Sequence, residues 1–205
     1  MPAQEHILHK VRTALGRSAG QPAAPAPAAL LRASRIDAAE KMRLLLERFP
    51  GRALRAASLA EARHYVASLI RGRRAVASSS PLLAQSGILD LPEVAAPSRE
   101  ACAAADFGIT TAEYALADTG ALVVLATSEE ARLASLLPVV HITLMRTDRI
   151  LASLDELFTV LPDPAAVSSS MVLIGGPSKT ADIEQILTLG VHGPREIHVV
   201  LLDPR

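Results

Sequence analysis

The chain alternates between amphipathic stretches and short runs that are almost continuously apolar. In the amphipathic stretches, apolar residues recur every three or four positions, which is typical of helices with one buried face. The short apolar runs are typical of strands in a parallel sheet that is covered on both faces. We therefore predict an α/β fold, with a mostly parallel sheet, helices on both faces and right-handed crossovers. The predicted helices cover residues 38–49, 58–70, 100–105, 129–136, 154–161 and 180–190, and the predicted strands cover residues 74–78, 121–126, 139–145, 171–174 and 197–202.

The first thirty residues follow a different pattern. Residues 6–15 predict a short amphipathic helix, and residues 20–27 hold three prolines that impose an extended path. We expect an N-terminal helix and linker over residues 1–29, and an α/β domain with two leading helices over residues 30–205. His6 and His9 are spaced to share one helix face, but a histidine pair with no third ligand rarely binds a metal. No metal site is predicted.

Charge and composition narrow the function classes. The chain has 21 basic and 21 acidic residues, and only two tyrosines, three phenylalanines and no tryptophan. A nucleic-acid-binding protein usually has a basic surface and aromatic platforms for the bases, so we expect no nucleic-acid partner. No apolar run approaches the ~20 residues of a membrane span, so we expect no span and a cytoplasmic protein.

Cysteine use excludes most redox centres on this chain. Cys102 is the single cysteine, so neither a disulfide within the chain nor a four-cysteine cluster can form. It lies among alanines in a predicted helix, where a small buried thiol is the common role. We predict no cofactor on this chain.

Residues 174–184 predict a strand that turns tightly into a helix. Unpaired backbone amides at a helix start favour a phosphate or carboxylate, and Gly175 and Gly176 would let the chain approach it closely. The alternative is a helix cap formed by Ser178 or Thr180. Neither nucleotide signature fits, because Walker A needs glycine before Lys179 and the dinucleotide fingerprint needs a third glycine. The side chains placed at this helix start are Ser178, Lys179, Thr180, Asp182 and Glu184.

A second polar segment interrupts an apolar neighbourhood just before a predicted strand. Asp118, Thr119 and Gly120 predict a turn with a buried acid, and burial would raise the pKa of the Asp118 carboxyl toward a useful range. Asp118 is therefore a candidate general base, nucleophile or ligand. The alternative is an Asx turn, in which the carboxylate accepts the amides of Thr119 or Gly120.

Two histidines lie close to predicted strands. His141 falls inside an apolar strand, where a core histidine is more common than a catalytic group, although its ordinary pKa would suit proton transfer. His192 lies between two glycines in the loop before the last strand. We expect both to support packing or an interface.

Three blocks, residues 108–120, 137–142 and 176–194, strongly resemble the lactate-utilisation (LutC) branch of the LUD domain family in order and spacing. The resemblance covers roughly residues 73–203. It implies a NagB/RpiA/CoA-transferase-like fold and a non-redox role in L-lactate utilisation, beside partner proteins that hold iron–sulfur clusters.

The resemblance also groups the candidate residues. Asp118 stands where the family favours an acid, so it is the candidate catalytic residue. A small carboxylate or phosphate ligand would bind between the two polar segments, at Thr119, Gly120, Gly175, Gly176, Ser178, Lys179 and Thr180, with His141, Asp182, Glu184 and His192 in support. Two other functions stay open: a stand-alone enzyme of the CoA-transferase or phosphosugar-isomerase fold class, and a scaffold protein.

Overall fold

The computed structural model describes residues 3–16, 18, 31, 36–128, 132–176, 179–181, 187–189 and 193–204. The chain divides into two compact units, Met1–Leu30 and Leu31–Arg205. In the first unit, a single described helix, α1, covers Ala3–Ala14, and its apolar residues are exposed.

The second unit alternates helices and strands. Its α-helices are α2 (Ala38–Arg48), α3 (Leu59–Ile70), α4 (Pro81–Ser86), α5 (Arg99–Ala104), α6 (Leu154–Val160) and α7 (Pro164–Val167). Its strands are β1 (Ala53–Ala56), β2 (Ala75–Ala77), β3 (Val94–Ala95), β4 (Phe107–Thr111), β5 (Tyr114–Leu116), β6 (Ala121–Leu125), β7 (Val140–Arg146), β8 (Ile150–Leu151), β9 (Met171–Ile174), β10 (Lys179–Ala181), β11 (Leu187–Leu189) and β12 (Glu196–Leu202).

Side-chain oxygens begin four of these helices. Asp37, Ser58, Ser80 and Ser98 each accept the backbone N–H three residues ahead, which satisfies one of the unpaired amides of the first turn. In α4, Pro81 follows its cap directly and presets the helical backbone. Three of these caps, Ser58, Ser80 and Ser98, follow strands β1, β2 and β3.

The central sheet has six strands in the order β1-β12-β7-β4-β2-β3, and every pair is parallel. Strand β12 shows why its sequence is continuously apolar. Val200 and Leu202 face the core beneath α3 and α4, whereas Val199 and Leu201 face the core that α2 covers on the other side. The predicted mostly parallel sheet with helices on both faces is confirmed.

A second sheet, in the order β8-β5-β6-β9, extends from the first. Strand β4 passes into β5 through only two residues, Ala112 and Glu113, so the two sheets share one continuous chain segment. Strand β6 is antiparallel to both β5 and β9. The prediction of a parallel strand over residues 171–174 is therefore wrong in direction, since an apolar run reports burial but not strand polarity.

The structure corrects three further element predictions. Strand β1 lies between the two leading helices, because Ala53–Ala56 pairs with β12 although it holds only one large apolar residue. The predicted first strand begins at Ala75, and the described part of the helix predicted over 129–136 is a single 3-10 turn, Arg132–Ser135.

The most consequential correction concerns the helix predicted from Thr180 to Gly190. Strands β10 and β11 pair there in an antiparallel hairpin, with Thr180 opposite Thr188. Of the apolar residues on which the helix was predicted, only Leu187 lies in a described strand, and periodicity over so short a stretch does not by itself distinguish a helix from a strand. Of the helices in the described part of the chain, none combines the length and apolar character that a membrane span requires.

Candidate functional site at the carboxyl edge of the central sheet

A cavity of about 270 Å³ opens at the carboxyl ends of β2, β4 and β7. Ligands of parallel α/β sheets characteristically bind at this edge, because the loops that leave the strands converge there. We call it the edge cavity. Its polar lining residues are Ser80, Gln85, Thr111, Glu113, Arg146 and Arg149, and its apolar lining residues are Pro81, Leu82, Ala112 and Met145.

Arg146 is the last residue of β7 and lines two cavities. A smaller space of about 80 Å³ adjoins the edge cavity and shares Leu82, Gln85 and Arg146 with it. Arg146 is half-buried, and among the residues that the structure describes its guanidinium has no hydrogen bond or ion pair. A guanidinium in this position is ready to bind an anion.

The acids that line the two cavities already have other partners. In the edge cavity, Arg149 lies 3.3 Å from the Glu113 carboxylate and stacks over the Tyr114 ring. In the smaller cavity, Arg55 lies 3.0 Å from the Asp203 carboxylate. The Arg55 bond, helped by Thr147, holds the pKa of the Asp203 carboxyl below its usual value. Both acids therefore remain paired with arginines other than Arg146.

His141 lies inside β7, as predicted, and is fully buried. Its Nε2 is 2.8 Å from the Thr110 hydroxyl, whereas Nδ1 has no partner among the described residues. Burial lowers the pKa of His141 to about 4, because desolvation disfavours the imidazolium. His141 is thus neutral near pH 7 and suits the predicted supporting role in the core.

The Asp118 segment forms the turn between β5 and β6. Backbone bonds hold it: the Asp118 N–H donates to Ala152 at 3.1 Å, and Arg48 donates to the Asp118 carbonyl. Gly120 has φ +73°, and a Cβ there would lie 2.6 Å from the Arg48 side chain. The Asp118 side chain is exposed, so the expectation of a buried acid is wrong. Its apolar neighbours face the core while the turn itself points outward.

The two polar segments lie at the same end of the β6–β9 pair. Ile174 pairs with Leu122, so Gly175 and Gly176 leave the sheet beside the turn that precedes β6. Lys179 and Thr180 belong to β10, so no helix begins at them and the predicted helix-start anion site loses its basis. Ser178, Asp182, Glu184 and His192 lie outside the described residues.

Two features were missed at the level of sequence. Arg146 directly follows a predicted strand, which is a signal that sequence reading could have used. The second feature is a hydrogen-bonded chain near the amino end of β12: the Tyr65 hydroxyl is 2.8 Å from His198 Nδ1, and His198 Nε2 is 2.8 Å from Glu196. Burial raises the pKa of the Tyr65 hydroxyl, and the Glu196 charge adds to this.

Cys102 is buried among Val76, Ala105 and Ala134, as predicted for a small core thiol. Burial raises the pKa of the thiol, so it stays protonated near neutral pH. In the described part of the chain, no three histidine, cysteine, aspartate or glutamate side chains are grouped to hold a metal ion.

The parallel central sheet, with helices on both faces and a cavity at its carboxyl edge, places the chain among the α/β proteins. The chain belongs to the LUD domain family, whose model matches residues 39–202. A crystal structure of a DUF162 family protein from Deinococcus radiodurans has the same fold, with a TM-score of 0.63, 19% identity, and coverage of 82% of this chain and 99% of that one. The family resemblance and the fold class drawn from the sequence are confirmed.

Among curated proteins, the chain is similar to several that are named lactate utilization protein C. The protein from Halalkalibacterium halodurans is 38% identical over 104 residues, which are 48% of this chain and 45% of the relative. The Bacillus subtilis protein is 33% identical over 105 residues, or 49% of this chain and 44% of the relative. The matched region thus spans less than half the length of each relative.

Proposed function

We propose that this chain is a non-redox subunit of an L-lactate utilisation system, which oxidises lactate to pyruvate together with iron–sulfur partner proteins. The observation that carries the proposal is the LUD family match over residues 39–202, joined to relatives whose names give lactate utilization as their role. The edge cavity is large enough to hold a small ligand, which supports the proposal.

The division of labour follows from the chemistry of the side chains. Oxidation of lactate removes two electrons, and a single cysteine cannot ligate an iron–sulfur cluster by itself. Cys102 is buried and its thiol pKa is raised, so it does not suit thiol redox chemistry. Electron transfer is therefore assigned to the partners, and this chain is assigned binding and positioning.

The residues that the family resemblance singled out are assigned roles as well. Asp118 would act as a general base, a nucleophile or a contact to a ligand or partner. Thr119, Gly120, Gly175 and Gly176 would lie around that same ligand or partner, outside the lining of the edge cavity. The β6–β9 register supports this grouping, since it brings both segments to one end of the strand pair. An exposed carboxylate at a turn suits contact with a partner protein better than an enclosed reaction.

Growth on L-lactate tests the role in the organism that encodes the chain. Deletion of the gene should abolish growth on L-lactate and leave growth on pyruvate intact, and the intact gene should restore growth. Unchanged growth on L-lactate would refute the role.

Affinity purification tests the partners. The tagged full chain should co-purify proteins that contain iron and acid-labile sulfide. A chain that purifies alone from lactate-grown cells would contradict the subunit role.

The rival functions predict different results. A stand-alone enzyme should turn over a thioester or a sugar phosphate as purified protein, without partners. A scaffold should retain its partners when Asp118 and Lys179 are both replaced by alanine, and should lose them when the segment up to Pro27 is deleted. A lactate phenotype combined with an inactive isolated chain would favour the subunit.

A further inference from the structure

Among the described residues, the charge balance of the edge cavity leaves one arginine without a counter-charge. The cavity is lined by Arg146, Arg149 and Glu113, and Glu113 is 3.3 Å from Arg149. On the other side of Arg146, Asp203 is held by Arg55 at 3.0 Å. A half-buried guanidinium with no partner among the described residues gains most from an anion, since it has already lost part of its hydration.

Neutral polar groups lie in the same cavity. The Ser80 oxygen accepts the Leu83 N–H at 3.5 Å, and its hydroxyl proton, which has no acceptor among the described residues, can donate to a ligand. The Gln85 amide has no partner among the described residues. Leu82, Ala112 and Met145 complete the lining with apolar surface. A ligand with one charged end, a second oxygen and a short apolar part matches this lining.

The size and net charge of the cavity favour a monoanion. A volume of about 270 Å³ lies below the range of roughly 300–1,000 Å³ that is typical of sites for drug-sized ligands. Two arginines and one glutamate leave a single formal positive charge, which one carboxylate neutralises. Only one of the two negative charges of a phosphate dianion would be neutralised. A planar carboxylate also matches the two parallel N–H donors of a guanidinium.

We propose that the edge cavity binds a small 2-hydroxy or 2-oxo monocarboxylate, with the carboxylate held by Arg146 and the second oxygen by Ser80 or Gln85. This inference deepens the proposed function by naming the ligand class and the anchoring residue, and it rests on that function for the choice of a 2-hydroxy or 2-oxo acid.

Isothermal titration calorimetry of the purified full chain tests the site with four probes: L-lactate, pyruvate, L-lactamide and inorganic phosphate. L-Lactate or pyruvate should bind, whereas L-lactamide, which has the same shape without the charge, and phosphate should bind at least about tenfold more weakly. Loss of hydrogen bonds to a charged group is worth roughly 1.5–3 kcal/mol, so Arg146→Met should raise the Kd at least about tenfold.

Two further variants control the experiment. Arg99→Met removes an exposed arginine outside the cavity and should bind as the unchanged chain does. Arg146→Lys keeps the charge but not the paired donors, and should bind with intermediate affinity; it also serves if Arg146→Met fails to fold.

Equal Kd values for Arg146→Met and the unchanged chain, tighter binding of phosphate, or no carboxylate binding at all would overturn the site. The two proposals fail separately. A deletion strain that loses growth on L-lactate while the chain binds no carboxylate refutes the site alone, whereas Arg146-dependent binding with normal growth of the deletion strain refutes the lactate role alone.

Discussion

The backbone of Gly108 on β4 lies directly against the carbonyl oxygen of Ala134. A Cβ at position 108 would overlap that oxygen and would lie 2.9 Å from the Pro138 ring. The 3-10 turn Arg132–Ser135 therefore packs on the central sheet at a strand position that has no side chain. This contact explains why close packing favours glycine at position 108, the first residue of the 108–120 block that resembles the LUD domain family.

Gly108→Ala should destabilise the fold by about 3 kcal/mol, because backbone atoms cannot move aside as a flexible side chain can. Urea denaturation measures the free energy of unfolding. Gly193→Ala is the matched control, since a Cβ there meets nothing within 4 Å, and it should change stability by less than about 0.5 kcal/mol. Equal midpoints for the two variants would contradict the packing described.

The buried His141 should make stability depend on pH. Its pKa falls from 6.5 in the unfolded chain to about 4 in the folded one, so between these values the unfolded state binds more protons. The free energy of unfolding should therefore keep its full value, as far as His141 is concerned, above pH 6.5. As the pH falls toward 4 it should decrease by up to about 3 kcal/mol, at 1.36 kcal/mol per pH unit.

Unfolding free energies at pH 7 and pH 5 measure this dependence. His141→Gln keeps a group that can bond to Thr110 but cannot titrate, so the difference between the two pH values should shrink in that variant. An unchanged difference would show that other groups cause the pH dependence.

Lys41 and Glu156 join α2 to the beginning of α6. The Glu156 carboxylate accepts the Lys41 ammonium at 2.6 Å and the Ala152 N–H at 2.6 Å. Burial alone would raise the pKa of Glu156, but these two bonds outweigh it and hold the pKa below 4.5. Their contribution is present above pH 4.5 and disappears as the pH falls through the lowered value.

Lys41→Met should cost about 1–2 kcal/mol, because the side chains of Lys41 and Glu156 are only 16% and 27% exposed. The control is Glu47→Gln, which breaks the Arg43–Glu47 pair of the same helix, where exposure is 53% and 59%. An exposed pair contributes little, so this change should cost less than about 0.5 kcal/mol. Thermal unfolding at pH 7 compares them, and similar losses would refute the ranking.

Asp118→Asn separates function from folding. The Asp118 carboxylate is exposed and has no hydrogen bond or ion pair within the described part of the chain, so its loss should change stability by less than about 0.5 kcal/mol. If Asp118 acts on a ligand or partner, growth on L-lactate should fall although the melting temperature is unchanged. Normal growth with normal stability would remove Asp118 from the candidate residues.

Sequence patterns predicted those helices and strands that have a clear hydrophobic pattern or cap within their own residues. Strands β7 and β12 are long and apolar, and helices α2 and α3 have clear caps and stripes. Strand β1 escaped prediction, because four residues with one leucine become a strand only by pairing with β12. Strands β10 and β11 escaped prediction as well, because three residues each are too few to show a periodicity and they too are defined by their pairing.

The candidate site was only partly predictable. The rule that ligands bind at the carboxyl edge of a parallel sheet points to the edge at which the cavity lies. Which residues meet there depends on the strand order, which places β4 between β2 and β7 and so brings Ser80, Thr111 and Arg146 around one cavity. Strand order cannot be read from the sequence. The helix predicted at Thr180 placed the candidate site near the end of β9 instead.

Growth on L-lactate of a strain whose chromosomal gene carries Arg146→Met, beside a strain with Arg99→Met, tests the central claim most directly. If the chain serves lactate utilisation through a carboxylate held at the edge cavity, the Arg146→Met strain should grow as poorly as the deletion strain while both variants accumulate to the same level. Arg99→Met should grow normally. Normal growth of the Arg146→Met strain on L-lactate would contradict the account.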